Sequence, residues 1–440
     1  MNTKQLLIGG LAVLAFAGCK PHLDTQAFNN GGLDFTRYVA VGNSLTAGYA
    51  NNSLCRSSQM SSYPSILAQQ FSAFGGGAFL QPLLKSEVGF PGPKLILGYT
   101  TDSVTGVTSL GPIPDPAPSD NAGDEANIAA QGPFNNLGVP GIRAIDFLIP
   151  GYGSLNPYAK RFFSSMTARP LAELGRMNPT FFTAWIGNND VLGYATSGGS
   201  GTINGGFLDQ NSISNSTLFA VALDSVVNRM TAGGAKGVLL SIPDVTAIPF
   251  FTTIPYNGLV LTRQGQVDSL NGAYTGTGIT FKLGQNPFII VDNSVPLIKR
   301  RPMVEGEYVC LTVPQASLKA GLGSIQPIPG QYILDATEVG NVRSATATFN
   351  GMIAQEAAAH NLAFVNMGAF LSTLSSGILY NGVNYNAQFV TGGAFSLDGV
   401  HLTPRGYAFA ANEIIRNINA FYGANIPMVD VNAYHGLAFP

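Results

Sequence analysis

The sequence predicts an α/β protein whose strands run parallel, with helices on both faces of the sheet. Two observations predict it. Short apolar runs at Thr36–Val41, Thr180–Ile186, Gly237–Ile242 and Ala363–Val365 read as buried strands. Between them lie segments with apolar residues at helical spacing, and this strand, helix, strand alternation is the pattern of parallel βαβ units.

Taken in order, the first strand (Thr36–Val41) breaks at Gly42-Asn43-Ser44 into a sharp turn. Tyr63–Phe74 has helical spacing, with Pro64 suited to a first turn. Gly75–Phe134 is rich in Gly and Pro, with strand-like pieces such as Leu95–Thr100, and reads as an insertion. Leu137–Asp146 returns to the core pattern. Asn156–Arg176 is expected to be one helix, capped by Asn156 with Pro157 at its first position. Ser216–Met230 is the next long helix. Pro243 to about Ile333 interrupts the alternation with strand-like runs at Phe288–Asp292 and Glu307–Val313, as a cap over a cleft or as surface decoration. Asp335–His360 and Met367–Leu374 are helices flanking the strand Ala363–Val365, and Thr403-Pro404 opens the closing helix.

Four places carry chemistry. Val39–Ala50 ends a buried strand in a turn that presents Ser44, either as a nucleophile or as a helix cap. In Asn136–Arg143, a Gly after a Pro leaves room for Gly141 to aim its N–H at a developing oxyanion, although Pro-Gly commonly marks a plain turn. Ile186-Gly-Asn-Asn-Asp190 ends a strand at the rim where parallel sheets place ligands, and Asn189 supplies an uncharged donor. Its other reading is a helix-capping turn. Leu397-Asp-Gly-Val-His-Leu-Thr-Pro404 sets Asp398 three residues before His401. Of the four histidines, His401 is the best-placed general base, with Asp398 to fix its tautomer.

These four pieces, in this order, resemble the SGNH hydrolases, also called the GDSL esterase and lipase family. The matching residues are Gly42-Asn43-Ser44-Leu45, Gly141, Gly187-Asn188-Asn189-Asp190 and Asp398-Gly399-Val400-His401. The resemblance implies Ser44 as nucleophile, His401 as base and then acid, and Asp398 as its orienting carboxylate. The oxyanion hole would be the Ser44 and Gly141 N–H groups and the Asn189 amide. It also implies a flavodoxin-like three-layer α/β/α sandwich around a parallel sheet of about five strands. One residue departs from the family pattern: Asn43 stands where an Asp is usual.

The implied reaction is hydrolysis of a carboxylic ester, with an acyl or aryl group, through an acyl-enzyme, and it calls for no metal or cofactor. A carbohydrate O-acetyl ester is the alternative substrate. A surface lipoprotein that binds glycan or lipid without catalysis is the alternative class. Length alone suggests two or three domains, but Ser44 and His401 have to meet, so a single domain over 36–440 is expected, with insertions near 75–134 and 243–333.

Composition narrows the partners. Apolar residues make up 45% of the 440, charged residues only 10%, and the net charge is −2. Nucleic acid is not an expected partner, and Lys299-Arg300-Arg301 reads as a solvated patch. Residues 1–18 have the charged start, apolar run and small residues of a signal peptide. Cys19 after Ala17-Gly18 resembles a lipobox, which implies acylation at Cys19, a tether over 19–35, and an exported bacterial lipoprotein at the outer membrane or cell surface. Cys55 and Cys310 are left as a disulfide pair or as two buried thiols.

Overall fold

The computed structural model describes residues 28–101, 106, 108–116 and 124–440. The expected signal peptide, Cys19 and most of the tether lie outside them. The core is a parallel sheet of β1 (Tyr38–Gly42), β2 (Asn136–Gly138), β3 (Phe181–Trp185), β4 (Lys236–Leu240) and β5 (Ala363–Val365), in spatial order β5-β4-β3-β1-β2. Every residue of β1 and β3 is buried, because helices cover both faces and leave no polar side for alternation to mark.

The helices that matter here are α1 (Ser44–Ala47), α2 (Tyr63–Ser72), α3 (Asn189–Thr196), α4 (Ser216–Thr231), α5 (Ala336–Ala359), α6 (Met367–Ser376) and α7 (Pro404–Tyr422). Side chains set their starts: Ser62 caps α2, Asn215 caps α4, and Thr403 caps α7 by accepting from Gly406 N–H. At α5, Asp335 and Glu338 form a reciprocal capping box. Against one face of the sheet, Phe71 of α2 and Tyr422 of α7 meet Phe181, with ring centroids 5.6 Å and 6.2 Å apart. Elsewhere Phe219 of α4 stacks on Phe349 of α5 at 4.1 Å.

Strand register positions the site. Gly42 pairs with Gly138 on one side and Trp185 on the other, so β1, β2 and β3 end level. The chain leaves β1 for one neighbour and then crosses to the other, which makes the end of β1 a topological switch point, the usual place for a ligand. Ser44, Gly141 and Asn189 follow these three strand ends within a few residues.

Several expectations need correction. The helix expected over Asn156–Arg176 breaks into Pro157–Phe162 and Pro170–Leu174. Pro170 forces Arg169 into an extended conformation, and Ser164 turns its N–H and hydroxyl onto Glu173 Oε1. The end of the tether is not free: Leu33 and Phe35 are buried, and Phe35 stacks on Phe71 at 4.0 Å. Arg301 is no solvated charge either, since it pairs with Asp292 and Glu307, each at 2.6 Å.

The 75–134 segment contains the antiparallel hairpin Leu95–Thr101 with Thr108–Pro114. The 243–333 segment folds into three short antiparallel pairs, and its strand-like runs shrink to Ile289–Val291 and Tyr308–Val309. It carries two apolar clusters of its own, one around Phe288 and Ile328 and one around Leu270 and Phe281. Cys55 and Cys310 are both free and buried, so they form no disulfide.

Candidate active site

Ser44 stands at the first position of α1, directly after β1, where its N–H has no partner within the helix. Asn43 shapes the turn. Its side-chain oxygen accepts from Leu45 N–H at 3.0 Å, and its amide donates to Asn188 Oδ1 at 3.1 Å. The departure from Asp is therefore accommodated: an amide caps the helix as a carboxylate would, and its second function is met by another buried amide.

Asp398 and His401 lie on a tight loop closed by the antiparallel bridge Phe395–Leu402 and by Ser396 N–H donating to the His401 carbonyl at 2.8 Å. Gly399 turns the loop with φ of +71°. The loop brings the two ends of the chain together. Ser44 Oγ lies 2.8 Å from His401 Nε2, and His401 Nδ1 lies 2.9 Å from Asp398 Oδ2. An ionised carboxylate can only accept, so Nδ1 carries the proton and Nε2 is free to receive one from Ser44.

The partners of Asp398 fix its charge state. Burial pushes its carboxyl upward, but attraction to the His401 ring and the hydrogen bond from it outweigh that, together with donors from the His401 and Asn52 backbones. The net result holds the group well below the usual carboxylate range. Ser396 Oγ and Val400 N–H also donate to Oδ1, at 3.0 Å and 2.9 Å.

On the opposite rim, the loop after β2 carries Gly141 with φ of +83°, a conformation that suits glycine. Its neighbours are pinned. Asn156, besides capping Tyr158 and Ala159, donates from Nδ2 to the Pro140 carbonyl at 2.9 Å. Asn189 Nδ2 donates to the Ile142 carbonyl at 2.9 Å, and Asp190 accepts from Ala144 N–H at 2.6 Å. The structure thus joins Ser44, Asp398 and His401 in one hydrogen-bonded chain and ties Asn189 to the Gly141 loop.

Sequence reading missed the residues that support these groups. Asn52 N–H donates to Asp398 Oδ2 at 2.9 Å, and the Tyr49 ring lies 4.6 Å from the His401 ring, centroid to centroid. The Asn51-Asn52 pair was a legible turn signal; nothing in the sequence showed what it would touch.

A relay of serine, imidazole and carboxylate at the end of a parallel sheet is the equipment of acyl transfer. Residues 38–414 match the family model for GDSL-like lipase/acylhydrolase. The chain belongs to the GDSL-like lipase/acylhydrolase family. It is accordingly a carboxylic ester hydrolase on the three-layer α/β/α fold expected from the motifs. No curated protein matches the chain. Two solved structures are distantly similar to this GDSL-like hydrolase, both at 13% identity. A family 3 carbohydrate esterase of Clostridium thermocellum is covered over 98% of its length and covers 89% of this chain, with a TM-score of 0.34. For an extracellular lipase of Streptomyces rimosus the corresponding shares are 97% and 86%, with a TM-score of 0.32.

Proposed function

We propose that Ser44 is the nucleophile of this hydrolase, His401 its general base and then acid, and Asp398 the carboxylate that orients the imidazole. The carrying observation is the unbroken relay from Ser44 Oγ through both ring nitrogens to Asp398, at 2.8 Å and 2.9 Å. Ser44 Oγ attacks the ester carbonyl while its proton passes to His401 Nε2. The N–H groups of Ser44 and Gly141 and the second amide hydrogen of Asn189 receive the negative charge on the former carbonyl oxygen. Collapse breaks the C–O bond, and the alcohol leaves with the proton from His401. Water, deprotonated by the same imidazole, then attacks the acyl-enzyme and releases the acid.

The substrate we infer is an ester with a short apolar group. An apolar cavity of about 50 Å³ is lined by Leu45, the residue after the nucleophile, by Val400, the residue before the base, and by Trp185, Ile248, Phe370 and Phe395. It is small beside the roughly 150 Å³ of apolar space that holds a benzene ring, which favours a short group over a long acyl chain. An acetyl group on a carbohydrate fits the same limit and is the second reading. A p-nitrophenyl ester series from acetate to decanoate, run beside acetylated sugars, separates them. Turnover that peaks at acetate to butyrate and falls steeply beyond supports the short-chain reading. A preference for octanoate or longer removes it, and faster release of acetate from sugars than from p-nitrophenyl acetate favours the second reading.

We further propose that the mature chain is held at a bacterial membrane surface by acylation of Cys19. The lipobox-like Ala17-Gly18-Cys19 supports this, and among the described residues no helix is long and apolar enough to cross a membrane. Labelled palmitate should enter the wild-type protein in cells and not Cys19→Ala, and equal labelling of both removes the proposal.

A further inference from the structure

We propose that the Asn51-Asn52 turn is a positioning element for the base, clamping the Asp398 loop so that the carboxylate stays aimed at His401. The proposal rests on the triad reading above and adds a part that the family motifs do not contain.

The turn is unusual in itself. Asn51 and Asn52 have φ of 54° and 60°, and Ala50 and Ser53 exchange both backbone hydrogen bonds, at 3.0 Å and 3.1 Å. That is a type I′ turn, whose second position is normally glycine. Two successive left-handed residues with side chains are uncommon, and such conformations persist where the surroundings hold them.

What holds this turn is the Asp398 loop. Asn52 N–H donates to Asp398 Oδ2 at 2.9 Å, the same oxygen that accepts from His401 Nδ1–H. Asn51 N–H donates to Ser396 Oγ at 3.0 Å, and that hydroxyl donates onward to Asp398 Oδ1 at 3.0 Å. Asn51 Oδ1 accepts from Leu397 N–H at 3.0 Å. The other donors to the carboxylate belong to the loop itself (Val400 and His401 N–H) and cannot fix where the loop sits. The turn can, because its other end is tied to the nucleophile: α1 runs from Ser44 to Ala47, and Gly48 and Tyr49 N–H both donate back to the Ser44 carbonyl. Both N–H groups of this left-handed pair are spent on the Asp398 loop, one on Ser396 and one on Asp398.

The test is steady-state hydrolysis of p-nitrophenyl butyrate by the full chain across pH, with thermal unfolding measured in parallel. Asn51→Gly keeps the left-handed backbone and deletes the acceptor for Leu397. Ser396→Ala deletes the bridge to Asp398 Oδ1. Ser396→Ala should lower kcat roughly tenfold or more, as loss of a hydrogen bond to a charged group does. Asn51→Gly, which loses a neutral bond, should lower it roughly threefold to tenfold, each with little change in KM. Each should also move the acid limb of kcat/KM to lower pH, because a misaimed Asp398 carboxylate stabilises the imidazolium less, while the Tyr49 ring packed on His401 is unchanged.

Asn51→Asp returns the acceptor. It should recover most of the lost kcat, with its acid limb at or above the wild-type position. Wild-type kcat in Asn51→Gly and Ser396→Ala overturns the clamp, and so does a loss of kcat with an unmoved acid limb, which is what a turn serving only stability would give. Ser44→Ala in the same assay separates the two layers. If it retains wild-type turnover the triad reading itself fails, whereas an inactive Ser44→Ala beside an unaffected Asn51→Gly removes only the clamp.

Discussion

The two rims of the site each hold an aspartate, Asp190 fully buried and Asp398 nearly so, and the two behave in opposite ways. Asp398, on the rim of the base, is held well below the usual carboxylate range despite its burial. Asp190, on the rim carrying Gly141 and Asn189, is pushed up to about 7. There burial dominates; the Ala144 N–H and Arg143 oppose it only in part, and the nearby Asp146 adds to it. Arg143 is already committed to Asp146 at 2.7 Å, with its remaining donors on the carbonyls of Gly206, Phe207 and Asp209. Burial alone therefore says nothing about the charge of a carboxyl; its partners decide. One rim is built around a fixed charge set against an imidazole, the other around a scaffold that holds a loop.

Breaking the charged rim should cost the most. His401→Ala should remove about a millionfold of kcat, since neither the base nor the returning acid remains. Asp398→Asn should cost less than that. Its amide would still touch the imidazole but would turn N–H towards donors that expect an acceptor, and losses up to about 10⁴-fold are known for this change in other triads. Both are read from initial rates on p-nitrophenyl butyrate.

On the scaffold rim, Asn189→Ala should lower kcat by about 10²–10³-fold with little effect on KM, as loss of one oxyanion donor does. Single-turnover acylation kinetics check this, and an unchanged acylation rate would leave Asn189 as a tie to the Ile142 carbonyl and nothing more.

The two aspartates also predict opposite pH signatures in stability. Asp398 is depressed in the folded state, so its stabilisation is present above the unfolded value near 3.8 and is lost only as pH falls through its lower folded value. Asp190 is raised, so between about pH 4 and about 7 the folded state holds a proton that the unfolded state has released. Its contribution therefore weakens as pH rises across that window. Asp190→Asn, which can still accept from Ala144, should flatten the fall in Tm between pH 4 and pH 7, seen by calorimetry at each pH. A wild-type slope in the variant would mean that Asp190 is ionised throughout.

The smallest effect is expected at Asn43. Asn43→Asp keeps the acceptor for Leu45 N–H, and Asn188 can rotate its amide to donate, so kcat/KM should change less than for any substitution above. A large loss would show that the neutral amide pair, rather than the helix cap, is what the turn requires.

Much of this was legible in the sequence because it depends on local signals. Strand ends followed by Gly-Asn-Ser or by Gly-Asn-Asn-Asp, and the Asp-x-x-His loop just before α7, mark a candidate site within a few residues. Thr403-Pro404 and Asp335 with Glu338 announce helix starts for the same reason. What stayed hidden depends on distance along the chain. No local pattern shows that Asn52 meets Asp398 or that Arg301 meets Asp292 and Glu307. The helix expected over Asn156–Arg176 failed because its apolar spacing was read past Pro170, which fixes Arg169 as extended. Leu33 and Phe35 looked like tether because two apolar residues beside Asn and Gly carry no period, yet Phe35 finds Phe71.

The central claim is that Ser44 is a nucleophile activated by a base from the far end of the chain. Intact-mass spectrometry after treatment with a fluorophosphonate measures it most directly, followed by peptide mapping. One adduct on Ser44 in the wild type, none in Ser44→Ala and much slower labelling in His401→Ala is the predicted result. An unlabelled wild type, or an adduct that persists in Ser44→Ala, would contradict it.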